Sequence, residues 1–542
     1  MAERSASGIE IAEESGPDHG IARASTGVTA FIGRALRGPV NRPREIHSFH
    51  EFTQIFGGLW QPSTMSYAVE QFFENGGRTA LVVRVMNGGR PPSLTLAAGT
   101  QTMRLVGLAP GSREYLRASV DYDGIGVNEP ERFNLVVQRV RAPGSELIED
   151  QEIFRRLSIL EDSERYVAEV LAESRLVRLI GPVPHHRPER SPASPGSAVI
   201  GYVDSNPDGD DGAALTDYDV IGSAIDGTGL FALQAMPNFS LLCIPPLARD
   251  RDVGLPVLLV AARVCSQHHA MLVVDPPSDW DTVEDALSKA REWPFRSDHA
   301  VMYFPRVLAF DRLRGRFEVF GSSGAVAGMI ARSDETWPVW AAAQREETIL
   351  RPGLRPACIV TEAERVRLAQ VGINALQSVR ASARLGLSPR TLAAAGSGSA
   401  DAKNLAVRRL ALFIVASIER GTLWMIFERN APYTWQRASA QVTAFLDALD
   451  AEGAFAGRSS EESYFVVCDE RLNGPEVRAR GRVCVLFGFA PTRAGDFHAY
   501  LVSHHAGASD VRAVSVNRLA IAGRRVEEEI ETGILRGLTA EI

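Results

Sequence analysis

The chain has 542 residues, 45% of them hydrophobic and 23% charged, with a formal net charge of −8. One hydrophobic core rarely grows past about 250–300 residues, so two to four domains are expected. The composition is ordinary globular usage, and it carries no overall basic balance of the kind that favours nucleic acid.

The opening MAERSASGIEIAEES lacks the basic and apolar regions of a secretory signal. Residues 1–25 are polar and contain one short alternation, Gly8-Ile9-Glu10-Ile11, too small to bury a face by itself. It reads as a tail or as a strand that another chain must complete.

Residues 26–90 form the first core segment. An apolar strand at 28–32 runs to a turn at Gly38-Pro39, and a short helix opens on the capping pair Ser48 and Glu51. A second helix places Met65, Ala68, Val69 and Phe72 on one face, and Asn75-Gly76-Gly77 stops it. A strand at 80–85 follows. Nothing in this segment resembles a catalyst.

Residues 91–195 alternate in short runs (94–96, 115–120, 133–140, 176–180) between Gly, Pro and Asp turns, with a helical patch near 153–171. They predict an inserted, mainly β domain whose exit, 185–195, is a linker. Residues 196–380 then alternate strand and helix: strands at 241–244, 270–274 and 300–304 enclose helices near 255–264 and 280–290. That pattern predicts a parallel sheet. A low-complexity stretch, 381–403, predicts an exposed loop. The core resumes over 404–502 with a helix at 404–419, a strand at 423–427, a helix near 435–451 and strands at 464–468 and 483–487. The apolar runs 255–264 and 410–418 stop well short of the roughly 20 residues a membrane helix needs, and are expected to be buried.

Chemistry-bearing residues have plainer readings. Cys243, Cys265, Cys358, Cys468 and Cys484 show no CxxC spacing, suit a reducing cytoplasm and read as small core hydrophobes. Gly321 to Gly328 (GSSGAVAG) lacks the Lys-Ser/Thr ending of a phosphate loop and reads as a turn opening a helix. Asp204 to Gly209 resembles half a calcium loop, but Leu215 stands where the bidentate acid belongs. Cys265, His268 and His269 have no fourth zinc ligand in view, and the pairs His185-His186 and His504-His505 are expected at the surface. Asp275, at the carboxyl end of a predicted parallel strand, is the one enzyme clue. Its plainer reading is a strand-end acid capping the next helix. No cofactor or metal is expected.

Taken together, several blocks resemble contractile tail sheath proteins of phages and phage-tail-like injection systems. They are SGIEIAEE, TAFIGRALRGPV, FGGLW (56–60), SYAVEQFFENGG (66–77), FNLVV (133–137), VVDPP (273–277) and SGAVAGMIARSD (323–334) with Trp340. More specific are VRRLALFIVASIERGTLWMIFERN (407–430) with Trp435, FVVCDERLN (465–473) and GFAPTRAGDFHAYLV (488–502). The matches keep the family's order from Gly8 to Val502.

The resemblance implies an α/β (α+β) sheath core assembled from N-terminal and C-terminal segments, with the first core segment closed by the C-terminal half, a mainly β insertion and extended terminal arms. It implies a non-enzymatic subunit that polymerises as stacked rings around an inner tube. The implied partners are copies of itself, the tube protein, and baseplate and terminator proteins, with neither nucleic acid nor membrane insertion. Assembly would be cytoplasmic, within a phage tail or a related particle. The implied inter-subunit strands are Gly8, Ile9, Glu10, Ile11 and Ala12 at one end and Phe497, His498, Ala499, Tyr500, Leu501 and Val502 at the other. Forty residues follow Val502, through the alternating VRAVSVNRL and a charged helix near 523–535. The lending strand is therefore 497–502 or 511–516. The alternatives are an α/β enzyme using Asp275 in a cleft and a non-contractile tail or baseplate component.

Overall fold

The computed structural model describes residues 20–192, 201–236, 238–341, 349–376, 388–395 and 401–514. The chain divides into two compact units, one of Ser25–Arg408 and one formed by residues up to Ala24 and from Arg409 onward.

The larger unit begins with β1 (Thr29–Gly33), β2 (Arg44–Ile46), α1 (Phe49–Phe56), α2 (Thr64–Glu74) and β3 (Ala80–Arg84). The Ser48 hydroxyl accepts from Glu51 N at 3.2 Å, while the Glu51 carboxylate takes the N–H of His47 rather than that of Ser48. Arg84 is 1% exposed, and its guanidinium donates to Gly38 O at 2.6 Å and Pro110 O at 2.8 Å. Burial pushes it down to about 10. Three otherwise unpaired loop carbonyls gather on this one side chain, the third being Leu36 O at 3.5 Å.

The insertion follows as β4 (Ser93–Ala98), β5 (Gln101–Gly107), β6 (Tyr115–Asp121), β7 (Arg132–Val140), β8 (Ile148–Ser158), α3 (Val167–Ala172), β9 (Val177–Ile180) and β10 (Val203–Asp204). Two sheets, β4-β5-β9 and β10-β6-β7-β8, share one apolar core that includes Leu96, Leu105, Phe133 and Leu157. The helical patch expected near 153–171 is corrected. Residues 148–158 are a strand paired along β7, and only Val167–Ala172 is helical. Ile153 and Leu157 fit a period of four as well as one of two, and pairing with β7 decides between them. Nor is the described part of 185–195 a free linker: Ser191 N donates to Val120 O at 2.9 Å, and Ser191 Oγ accepts from Val120 N.

The chain continues through α4 (Asp217–Ile221), β11 (Leu241–Cys243), α5 (Leu255–Gln267), β12 (Met271–Val274), α6 (Val283–Glu292), β13 (Ala300–Phe304), the hairpin β14 (Val307–Asp311) and β15 (Arg316–Phe320), α7 (Ser323–Thr336), β16 (Arg355–Pro356), α8 (Glu362–Gln370) and β17 (Ile373–Ala375). The central sheet has the order β17-β13-β12-β11-β1-β3-β2, parallel except at β2. Its strands, the edge strands β2 and β17 excepted, are buried on both faces, as a doubly covered parallel sheet requires. One face, with Ala30, Ile32, Leu242, Leu272 and Met302, packs on α5 and α6 through Val257, Ala261, Val283 and Leu287. The other lies under α2 and α7, where Phe31 and Phe72 meet edge-on at 5.4 Å.

The expected closure of residues 26–90 by the C-terminal half is corrected. β1 pairs with β3 and β11, and the sheet is completed by strands from 241 to 375. The βαβ pattern in that stretch already supplies parallel strands with crossover helices, which fill both faces.

The smaller unit contains α9 (Leu405–Gly421), which begins just before it, α10 (Pro432–Ala451), α11 (Ser460–Ser463), β18 (Tyr464–Val467), α12 (Pro475–Ala479), β19 (Val483–Phe489), β20 (His498–His505) and β21 (Ala508–Val514). The strand expected at 423–427 is a 3-10 helix. It continues α9 into an apolar stretch, Leu405–Phe427, that is long and apolar enough to cross a membrane. The expectation that such runs stop well short of that length is therefore corrected. Leu410, Ile414 and Ile418 are 0–1% exposed in the fold, so packing accounts for their apolarity.

Candidate assembly surfaces

Among the sequence-predicted site residues, Asp275 sits just beyond the C-terminal end of β12. It is half-buried, and its two oxygens accept from Ser323 N and Ser323 Oγ, both at 2.7 Å. The carboxylate thus caps the first turn of α7, where the helix leaves N–H groups unpaired. Burial raises its pKa, and the Ser323 bonds and the Arg306 charge oppose that rise. Two cavities adjoin it, of about 20 and 60 Å³. The smaller is lined by Thr64, Tyr67, Gln71 and Arg249 and has room for about one water at the roughly 10–15 Å³ each requires. A side chain at Gly321 would strike the carboxylate at 2.6 Å. The geometry is that of a helix cap.

The other clusters are also structural. Asp208 accepts from Ser93 N at 2.8 Å and Ser93 Oγ at 2.5 Å, and those bonds, the hydroxyl first, hold its pKa low. His268 packs on Phe239 with ring centroids 5.1 Å apart, and no group of three or more His, Cys, Asp or Glu side chains able to hold a metal occurs among the described residues. Cys243, Cys265, Cys468 and Cys484 are buried and Cys358 is half-buried.

His504 was expected at the surface and is fully buried instead. Thr422 donates its hydroxyl to Ile418 O at 2.7 Å, so Thr422 Oγ1 accepts from His504 Nε2–H at 2.8 Å. His504 Nδ1 then accepts from the Ser509 hydroxyl at 2.6 Å. This neutral imidazole ties the β20–β21 hairpin to the end of α9. The His-His dipeptide carries no sign of it, because β20 alternates and places successive residues on opposite faces.

The sequence-predicted C-terminal inter-subunit strand falls in the smaller unit. Its sheet runs β18-β19-β20-β21, all antiparallel. The C-terminal lending strand, read as Phe497, His498, Ala499, Tyr500, Leu501 and Val502, is corrected. Residues 498–502 pair with β19 on one side, and 499–502 pair with β21 on the other. A doubly paired strand has no backbone groups left to offer a neighbour. Among the described residues the sheet's edge strands are β18 and β21, and β21 covers residues 511–514 of the alternative segment, with an alternating, largely exposed pattern. The N-terminal candidates Gly8, Ile9, Glu10, Ile11 and Ala12 lie outside the described residues, as do 515 and 516. What is described of that end is anchored on α9 and α10. Ala24 N donates to Ser417 Oγ at 2.9 Å, Arg23 Nη1 donates to Glu452 at 3.1 Å, and Ile21 sits where a side chain on Gly421 would need to be, 2.8 Å away.

No family model matches the chain, and no curated protein does. Solved structures do. A sheath tail protein from Listeria innocua superposes with a TM-score of 0.60 at 14% identity, over 90% of this chain and 97% of that one. The PVC sheath complex of an extracellular contractile injection system, in its contracted state, gives 0.51 at 16%, over 92% and 97%. A sheath tail protein from Desulfitobacterium hafniense gives 0.50 at 13%, over 92% and 100%.

Proposed function

We propose that this chain, which has the fold of contractile tail sheath proteins, is the structural subunit of a contractile sheath. Copies would stack as rings around an inner tube and, on contracting, drive it through a target envelope. The observation that carries the reading is the extent of the likeness, which runs over at least nine-tenths of both chains in each comparison.

The sheet edges supply the linkage. A strand added to β18 or β21 with about five backbone hydrogen bonds would contribute roughly 2–7 kcal/mol net, at about 0.5–1.5 each. Small for one subunit, this accumulates along a cylinder. Links through extended arms also let compact bodies shift relative to their neighbours without losing connection, which contraction requires. In this reading Gly8 to Ala12 is the N-terminal arm and β21, rather than 497–502, is the C-terminal edge that meets it or is lent. Baseplate, terminator and tube proteins are the remaining partners. The protein is not an enzyme, in keeping with the spent carboxylate of Asp275. Its place is a phage tail or an injection particle assembled in the cytoplasm.

Purified protein viewed by negative-stain microscopy is expected to form hollow cylinders. A preparation that stays monomeric under all assembly conditions overturns the reading. Removing residues 1–20 is expected to abolish cylinders while leaving the circular dichroism spectrum of the folded subunit unchanged. Cylinders of normal length from that variant would sink the arm assignment alone.

A further inference from the structure

The hairpin β14–β15 presents an apolar face to solvent. Phe310, Leu313, Phe317 and Val319 are 48–55% exposed. Register puts Phe310 opposite Phe317 and Leu308 opposite Val319, so these four side chains share one side of the sheet. The two phenylalanine rings meet edge-on at 5.5 Å. A contiguous, doubly aromatic sheet face is an unusual thing to leave in water.

Its border is cationic. Arg355, on β16 opposite Leu308, holds its guanidinium 6.0 Å from the Phe317 ring and has no ion-pair partner among the described residues. Arg314 and Arg316 at the hairpin tip pair with Glu318, which Arg249 also contacts while bonding Asp311, the register partner of Arg316, at 2.6 Å. Arg312 reaches Glu70 and Glu74 of α2 at 3.4 and 3.3 Å. At the hairpin tip and the β16 edge, beside the apolar face rather than on it, five arginines thus stand against four carboxylates, an excess of one positive charge. The face fits a partner that is apolar along one line and acidic beside it.

The chain carries such a segment. Twenty-eight residues follow Val514, the last described position. Within them Val526, Ile530 and Ile534 recur every fourth residue, the spacing of one helical face, and Glu527, Glu528, Glu529 and Glu531 fill positions between them. Four carboxylates within five residues match the arginine rim, and guanidinium–carboxylate pairing is the strongest charge-assisted contact available at a surface.

We propose that the β14–β15 face is the docking site for residues 526–534 of a neighbouring copy, with Val526, Ile530 and Ile534 on Phe310 and Phe317 and the glutamates on the arginine rim. The proposal rests on the self-assembling reading above, and assigns a further contact within it.

Two full-length variants, Phe317→Cys and Ile530→Cys, are mixed under mild oxidation and examined on non-reducing gels, with separate tags so that only a link between chains scores. A disulfide-linked heterodimer is expected at about fivefold or more the yield of a control pair using Ile225→Cys, which is 97% exposed, because docking raises the effective thiol concentration. Adding Arg314→Glu and Arg316→Glu to the Phe317→Cys chain is expected to return the yield to the control level. A heterodimer no more abundant than the control overturns the proposal, as does one unaffected by the charge reversals. Microscopy of the same mixtures separates the two readings. Cylinders without the link overturn this contact alone, whereas a charge-sensitive link without cylinders keeps the contact and overturns the sheath assignment.

Discussion

Gly324→Ala is expected to lower unfolding free energy by about 3 kcal/mol, the upper end for an overpacked core, and Gly324→Val to leave no soluble folded protein. Gly324 lies in the first turn of α7, and a Cβ there would stand 2.1 Å from Ala68 O and 2.7 Å from Ala68 C on α2. One turn on, a Cβ at Gly328 would stand 2.3 Å from Phe72 O. The atoms in the way are backbone, so no rotamer change relieves the clash. The two helices must part instead, which uncovers the sheet face holding Phe31. Every residue of α7 from Ser323 to Ala331 is buried, so the opened gap would lie inside the core. Gly27→Ala is the control: its Cβ would meet nothing nearer than Ala331 Cβ at 3.5 Å, an ordinary contact, and a change under about 1 kcal/mol is expected. Urea titrations of the three proteins decide the matter. Equal midpoints for Gly324→Ala and the parent would refute the close approach of α2 and α7.

The second large effect is acid lability, with one source in each compact unit. Burial pushes His504 down to about 4, with the His505 charge adding to the fall and Glu419 opposing it. His299, whose Nδ1 lies 3.2 Å from Ala270 O and whose Nε2 meets Arg408, is also pushed down to about 4, by burial first and then by the Arg408 charge, with Asp298 opposing. An unfolded histidine titrates near 6.5. Between pH 4 and 6.5 the unfolded chain therefore binds protons that the folded chain refuses, and stability rises with pH across that window. Each histidine contributes fully above about pH 6.5. Its contribution fades as pH falls toward 4, by roughly 3 kcal/mol for a shift of this size. Urea midpoints measured from pH 7 to 4.5 should fall accordingly, and His504→Gln should flatten the slope for the smaller unit while lowering its midpoint at pH 7. A His504→Gln slope equal to the parent's would show that this imidazole is not held neutral.

Much of the local structure is written in short-range pattern. The faces of α2 and α10, the alternating strands of the insertion and the βαβ rhythm from 241 to 304 all follow from spacing within a dozen residues. So does the plain reading of Asp275 as a cap, although the helix it caps is α7, forty-eight positions away, rather than the next one. The candidate assembly surfaces were less legible. That 498–502 would be an inner strand depends on β21 folding back along it, and the apolar spacing of VRAVSVNRL suits a lent strand equally well. GSSGAVAG reads as a turn opening a helix, as it does at the start of α7; the pattern did not show that Gly324 and Gly328 are what two packed helices need when their backbones approach closely.

Periodicity, capping residues and turn chemistry act between neighbours in the chain, so the sequence by itself determined most of the strands and helices, 148–158 and 423–427 excepted, and the division into a mainly β segment and an α/β core. Which strand lies beside which is a different matter. Pairing of β1 with β11 joins residues more than two hundred positions apart, and it is decided by which surfaces can be buried together once every element exists. Tertiary structure alone therefore closed residues 26–90 with strands from 241 to 375, buried His504 between Thr422 and Ser509, and left β18 and β21 as the edge strands among the described residues. The arginine-rimmed face of β14–β15 belongs to the same class. Its residues are ordinary in sequence, and only the register that sets Phe310 against Phe317 makes them one surface.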